Sequence, residues 1–235
     1  MSTEMLWNGV TMENPDGLFR LGTDSVVLAD FASPVRGEAV CDLGCGSGAI
    51  ALMLLANDPT LRLTGVELQP ELAKLAQNNA EKNGLTDGFR VLCGDLRACR
   101  TLLPAGSFTR AVSNPPYFPA GFPVSGDVRI AVSRSEKTCS PDELCTAAAW
   151  LLRTGGSFCL VHRPERLADL IFALRTHHLE PKRLRFVRHR ADSVRTLLLL
   201  EAVRGGNAGM KIEEDLILYL PDGSPTEDCR RIYHR

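Results

Sequence analysis

The sequence predicts an α/β domain on a doubly wound, seven-stranded, mostly parallel sheet with one antiparallel edge strand. Three observations predict it. Short apolar runs of strand length alternate with helical stripes from about residue 39 onward, and such alternation implies crossover units and parallel strands. The first run opens into a glycine-rich bend, Asp42-Leu43-Gly44-Cys45-Gly46-Ser47-Gly48. The last two runs, Lys182–Arg190 and Thr196–Val203, have only a short polar connection between them, so one of the pair runs antiparallel.

The elements follow in order. Ala39–Leu43 is the first strand and Ala49–Asn57 a helix; Leu63–Leu68 is the second strand. Pro70 suits a first helical position, and Leu72, Leu75, Ala76 and Ala80 form a helical stripe that stops at Asn83-Gly84. Phe89–Cys93 and Phe108–Ser113 are the next strands. Ser140-Pro141-Asp142-Glu143 carries an N-cap, a first-position proline and first-turn acids. The helix it starts, Leu144–Leu152, is expected to end at Gly155-Gly156, before strand Ser157–His162 and helix Arg166–His177. Residues 37–206 make the domain. Residues 1–36 form an N-terminal extension expected to pack on the ligand pocket and 207–235 a C-terminal one, neither large enough to fold alone.

Composition is that of a globular protein, with 44% hydrophobic and 23% charged residues. A net charge of −1 means that any nucleic-acid role rests on a local patch. Cys41, Cys93 and Cys159 fall inside apolar strand runs, and no pair is spaced C-x-x-C. The eight cysteines therefore read as buried thiols of a reducing cytoplasm rather than disulfides or a zinc site. The segment Met1–Trp7 lacks a basic region followed by an apolar core, and apolar stretches such as Ala49–Ala56 fall short of a membrane span. No metal-ligand cluster is apparent, and no feature bears on oligomeric state.

Two places at the C-terminal edge of the sheet carry chemistry. Open α/β sheets bind ligands at that edge. Glycines at 44, 46 and 48 let the backbone turn tightly and approach a ligand, and the helix behind them offers free amides. Glu67 ends the second strand, 25 positions after Asp42, where a carboxylate can accept from both ribose hydroxyls. At the other place, the strand 108–113 stops on Asn114-Pro115-Pro116-Tyr117. Neither proline can donate to a ladder, so the strand ends there with an amide and an aromatic ring beyond it.

Dehydrogenase loops read G-x-G-x-x-G, whereas this one is G-x-G-x-G with an acid two places before the first glycine. It resembles motif I of the class I S-adenosylmethionine methyltransferases, which implies a Rossmann-like fold with that cofactor and S-adenosylhomocysteine as product. By that resemblance Asp42, Gly44, Gly46 and Gly48 shape the methionine end of the site, and Glu67 with Leu68 lies at the ribose. Asp95 stands where the family has an acid near the adenine amino group, with the amide of Leu96 beside it.

Asn114-Pro115-Pro116-Tyr117 resembles the motif of family members that methylate planar nitrogens: adenine N6, guanine N2, cytosine N4 and protein glutamine. The lone pair of such a nitrogen is delocalised, and acceptors that draw its two hydrogens out of plane redirect it toward the methyl. The resemblance gives that work to the Asn114 side chain, which also borders the cofactor, and to the Pro115 carbonyl, with Pro116 completing the turn and Tyr117 stacking on the target. Base stacking on an aromatic is worth roughly 1–3 kcal/mol.

A narrower resemblance, over most of the chain, is to the bacterial valine-tRNA adenine-37 N6-methyltransferases. Residues 17–29 resemble that group's segment before the first strand, where Thr23 and Asp24 lie beside the cofactor pocket. Ser133-Arg134-Ser135-Glu136 resembles its Ala-Arg-His-Glu, with Ser135 in place of the histidine; Glu201–Gly206 and Arg231-Ile232-Tyr233 also match. The implied reaction is methylation of an exocyclic nucleobase amine, N6 of an adenine in a tRNA anticodon loop. Protein-glutamine N5-methylation of the release-factor type and guanine N2-methylation of ribosomal RNA stay open.

Lys182, Arg183, Arg185, Arg188, Arg190, Arg195 and Arg204 face only Asp192 and Glu201 across 182–204, a net +5. This strip is either an RNA phosphate contact or a solvated edge hairpin charged against aggregation.

Overall fold

A computed structural model describes residues 2–14, 21–115 and 139–233 of the chain. Its centre is a mixed sheet. Strands β3 (Ala39–Leu43), β4 (Arg62–Glu67) and β5 (Phe89–Cys93) run outward to one edge, and β6 (Phe108–Ser113) returns to the far side of β3. Beyond β6 come β7 (Leu152–His162), β9 (Arg195–Arg204) and β8 (Leu179–Arg188). The order therefore reverses between β3 and β6, and a crevice opens at such a switch point beyond the strand ends.

Helices cover both faces because both faces of each central strand are apolar. In β3, Val40 joins one core cluster and Cys41 and Leu43 the other. α1 (Thr23–Ala32), α2 (Ala49–Asn57) and α3 (Pro70–Lys82) pack on the Val40 side. α4 (Cys99–Leu102), α5 (Pro141–Leu151) and α6 (Leu167–Thr176) pack on the other. In α2 every residue from Ile50 to Leu55 is buried, as an all-round apolar helix requires. At the start of α5 the expected signals close a capping box: Ser140 Oγ accepts from Glu143 N, and Glu143 Oε2 accepts from Ser140 N at 2.8 Å.

The seven expected strands form the sheet, with one refinement. The antiparallel strand is β9, one place in from that edge, and the outer β8 runs parallel to β7. A hairpin of two long strands reverses the chain once, so the inner strand takes the opposite sense. The edge is then extended by β10 (Lys211–Ile212) and β11 (Leu216–Ile217), both parallel to β8.

Gly155-Gly156 does not end a helix. α5 passes into β7 at Leu152, and the glycines sit where the β6–β7 register shifts between Phe108 and Arg110. Gly155 has φ +80°, and a Cβ on Gly156 would meet Thr109 O at 3.0 Å, so they serve a bulge. Cys93 also departs from expectation. It is exposed at the end of edge strand β5, whereas Cys41 and Cys159 are buried.

Segments from both ends of the chain contact helices beside the sheet. β1 (Ser2–Met5) and β2 (Thr11–Asn14) form a hairpin held by two asparagines, one in α3 and one capping its C-terminus. Glu13 N donates to Asn79 Oδ1 at 2.8 Å and Thr11 N to Asn83 Oδ1 at 2.9 Å. Buried Asn79 also donates to Ser47 O at 3.1 Å, linking this hairpin to the glycine bend. At the other terminus, α7 (Glu227–Tyr233) lies along α1: Arg231 pairs with Asp30 at 2.9 Å and Tyr233 OH meets Thr23 Oγ1 at 3.2 Å. Among the described residues no helix is long and apolar enough to cross a membrane.

Candidate active site

The bend after β3 forms because three backbone positions adopt φ values that glycine accepts freely. Gly44, Gly46 and Gly48 have φ of +80°, +55° and +89°. Gly44 N and Cys45 N both donate to Val66 O, at 2.8 and 3.1 Å, which fastens the bend to β4. Gly48 then starts α2, where an added Cβ would press on Phe89 at 3.1 Å and Ala76 Cβ at 3.3 Å. At Gly44 and Gly46 no atom lies within 4 Å of that place.

That open space belongs to a cavity of about 210 Å³ at the β3–β6 switch point. Gly44, Cys45 and Gly46 form its floor, and Glu67, Leu68 and Gln69 one side. Asp95 and Leu96 line it from beyond β5, and Ser113, Asn114 and Pro115 from the end of β6. The wall is part polar and part apolar, with Ile50, Val66, Leu72 and Leu144 among its apolar members.

Glu67 is buried, with both oxygens in use. Oε2 accepts from Gly46 N and Oε1 from Gln69 N, each at 2.9 Å. Burial pushes its carboxyl above the ordinary carboxylate range, opposed by those amide donors. Asp95 is the opposite case: it caps the turn Leu96–Ala98 by accepting from Arg97 N, and the Arg97 guanidinium, 2.6 Å away, holds it below that range.

Asp42 lies beneath the bend, not on the cavity wall. It is fully buried, and neither carboxylate oxygen has a hydrogen-bond partner among the described residues. Burial, then the charge of Glu67, raises its carboxyl from 3.8 to about 8, so it carries a proton at neutral pH.

At the end of β6, Ser113 is buried and its Oγ donates to Leu43 O at 2.7 Å, tying β6 to the end of β3. Asn114 Nδ2 donates to Ser25 Oγ at 3.1 Å. Pro116, Tyr117 and the stretch Ser133–Glu136 lie outside the described residues.

Of the cofactor and target residues singled out from the sequence, Gly44, Gly46, Glu67, Leu68, Asp95, Leu96, Asn114 and Pro115 meet at one cavity, and Gly48 stands behind it at the start of α2. Thr23 and Asp24 stand back from the wall, Thr23 toward Tyr233 and Asp24 toward its own helix start, where Oδ1 accepts from Ser25 N. Their neighbours Gly22 and Ser25 reach the cavity instead. Met12, Leu144 and Cys139 also line it, and the sequence offered no local signal for them: each arrives from a segment remote from both motifs.

The basic strip is largely engaged within the chain. Arg183 pairs with Glu201 at 2.8 Å and stacks on Phe31, Arg188 pairs with Asp215 at 2.6 Å, and Arg185 donates to Glu214 O at 3.1 Å. Arg195 shares Asp215 at 3.0 Å, and Arg204 donates to Leu152 O. Arg190 and Arg195 are the more exposed members, Arg190 lying 3.9 Å from Asp192; Lys182 is half-buried and donates to Asn207 O.

Comparison with known proteins identifies the family and the fold. The family model of the methyltransferase small domain matches residues 20–176. A protein of Porphyromonas gingivalis named tRNA1(Val) (adenine(37)-N6)-methyltransferase is 32% identical over 175 residues, covering 72% of this chain and 68% of its own length. A protein of the same name from Yersinia pestis is 32% identical over 143 residues, 60% of this chain and 57% of that relative. Among solved structures, a predicted O-methyltransferase of Agrobacterium tumefaciens superposes with a TM-score of 0.74 at 20% identity, over 89% of this chain and 95% of that one. A geranyl diphosphate C-methyltransferase of Streptomyces coelicolor, solved with S-adenosyl-L-homocysteine, superposes at 0.55 and 14% identity, over 77% and 78%. These two show the shared fold. The chain belongs to the methyltransferase small domain family and is an S-adenosylmethionine-dependent methyltransferase.

Proposed function

We propose that the chain methylates the exocyclic N6 amine of an adenine in tRNA, in the anticodon loop at position 37 of a valine tRNA. The observation that carries this reading is the pairing of two strand ends. The Gly44–Gly46 floor and the Asn114-Pro115 wall face one cavity, and Ser113 Oγ ties their strands together. The name shared by the relatives supplies the nucleobase and the transcript.

The residues fit the donor. The open space at Gly44 and Gly46 admits its methionine part, and Glu67 offers a buried carboxylate for the ribose hydroxyls. Leu68 and Leu96 flank the place of the adenine, with Asp95 beside its amino group and Asp42 backing the bend from below. Bound S-adenosylmethionine would supply an electrophilic methyl on sulfur.

The rest is the work of this chain. An aniline-like amine is a poor nucleophile until its hydrogens leave the ring plane and its lone pair is freed from the π system. Asn114 Oδ1 and the Pro115 carbonyl accept its hydrogens and hold it in that state, and the surplus proton leaves to water after transfer. Alignment of two bound reactants can supply roughly 7–11 kcal/mol of the barrier, so no buried general base is needed. Tyr117 enters this reading as a stacking plate by its place in the sequence alone. Among the strip residues, Lys182 and Arg190 are the members we assign to RNA phosphate contact. A tRNA substrate implies the cytoplasm as compartment.

Incubating the protein with labelled donor and an unmodified tRNA1(Val) transcript, then digesting to nucleosides, tests the reading. N6-methyladenosine in that transcript is the expected product, and its loss in Asn114→Ala the expected control. Label appearing instead in ribosomal RNA guanine or in a release-factor glutamine would overturn it.

A further inference from the structure

We propose that Ser25 is a positioning residue for methyl transfer. Its hydroxyl accepts the amide hydrogen of Asn114 and so holds the Asn114 carbonyl oxygen toward the amine that is methylated. This rests on the reading of Asn114 given under Proposed function.

An asparagine amide is two-ended: Nδ2 only donates and Oδ1 only accepts. A target amine about to be methylated has hydrogens to give, and its lone pair is reserved for the methyl. Only the Oδ1 end therefore helps it, while the Nδ2 end would set donor against donor. The productive orientation requires an acceptor for Nδ2 on the protein side. Ser25 Oγ is that acceptor, at 3.1 Å, reaching Asn114 across 89 positions of sequence. Both residues line the cavity.

Each end of this bond is anchored. Asn114 follows Ser113, whose side chain is buried and bound to Leu43 O. Ser25 sits in the first turn of α1, its N–H held by Asp24 Oδ1 at 3.0 Å, and the helix behind it is buried from Val26 to Ala32. α7 clamps that helix through Arg231–Asp30 and Tyr233–Thr23. The link thus joins two fixed elements and fixes the amide. A serine hydroxyl can also donate to the reversed amide; once the amine is bound, donor repulsion disfavours that state, and Ser25 is then needed as acceptor.

The test compares Ser25→Ala and Ser25→Thr with wild type on an unmodified tRNA1(Val) transcript, alongside calorimetric titration with S-adenosylhomocysteine and thermal melts. Losing the acceptor of a part-buried donor should lower kcat roughly ten-fold or more in S25A, with S-adenosylhomocysteine affinity within about two-fold of wild type. S25T, which keeps the hydroxyl, should recover most of the rate. An S25A kcat within about two-fold of wild type overturns the proposal. So does an S25A that loses kcat, S-adenosylhomocysteine affinity and melting temperature together, or an S25T as slow as S25A, because Ser25 would then serve packing. Failure of the underlying reading looks different: wild type would leave the tRNA unlabelled, or Asn114→Ala would keep full turnover.

Discussion

Glu67 Oε2 accepts a hydrogen bond from Gly46 N at 2.9 Å, so the acid that ends β4 is fastened to the bend that follows β3. One carboxylate thereby shapes the floor of the cavity and forms part of its side. Its second oxygen caps the start of the next segment through Gln69 N. Removing it disturbs backbone and ligand contacts together, and the first prediction separates the two.

Glu67→Gln keeps the length and an acceptor oxygen but loses the charge. Its melting temperature should stay closer to wild type than that of Glu67→Ala, which strands two amides at a cost of roughly 1–3 kcal/mol each. Both variants should bind S-adenosylhomocysteine about ten-fold more weakly or worse, since charge-assisted hydrogen bonds contribute roughly 1.5–3 kcal/mol. Calorimetric titration beside thermal melts checks this, and unchanged affinity in Glu67→Ala would remove Glu67 from the ribose site.

Gly46→Ala separates backbone strain from space. At φ +55° an L-residue costs roughly 1–2 kcal/mol, and the added methyl meets no protein atom within 4 Å. It stands in the open space at the cavity floor. The expected outcome is a small fall in melting temperature and a much larger fall in S-adenosylhomocysteine affinity. Equal affinity to wild type would mean that the ligand does not approach the bend.

Asp42 gives stability a pH dependence. Its carboxyl is raised from 3.8 to about 8 in the folded protein, by burial first and by Glu67 second. Between those values the unfolded chain releases a proton that the folded chain keeps, so this contribution is complete below about pH 4 and fades as pH rises toward 8. Asp42→Asn lacks the titration. Melting curves at pH 5 and pH 8 should shift in favour of the variant, relative to wild type, at the higher pH. A difference independent of pH would show that Asp42 is already ionised in the fold.

The basic strip divides into structural and exposed members. Arg188→Glu places a like charge against Asp215 and removes donors from Ala191 O and Ser193 O, so its melting temperature should fall. Arg190→Glu with Lys182→Glu should leave the melt nearly unchanged, because Arg190 is exposed and the Lys182 ammonium meets a surface carbonyl, that of Asn207. On the reading that these two touch phosphates, the double variant should raise the Michaelis constant for tRNA. It should also flatten the salt dependence by about one unit of slope for each phosphate left without its cation. An unaltered salt slope would leave the strip as a fastening for the C-terminal segment.

Local chemistry was legible in the sequence. The glycine spacing, first-position Pro70 and the Ser140–Glu143 box each act within one turn of chain, and each is found where residue order places it. The alternation of apolar runs marked out seven strands and the helices between them. Gly155-Gly156 misled because a glycine pair marks a helix end and a bulge equally well, and only the β6–β7 register distinguishes them. Along residues 22–25 the backbone enters α1 and turns by about 100° per residue, so the composition of the stretch could not say that Ser25, not Thr23, would reach the cavity.

By itself, then, the order of residues determined the α/β class, the bend that ends β3 and the amide that follows β6. Tertiary structure decided what each of those meets: Asn114 with Ser25, Glu67 with Gly46, Arg188 with Asp215, and Asp42 with no donor among the described residues. Helix caps, turns and periodicity are set by neighbours a few residues away. The partners of a buried charge or amide are set by the packing of segments brought together from far along the chain.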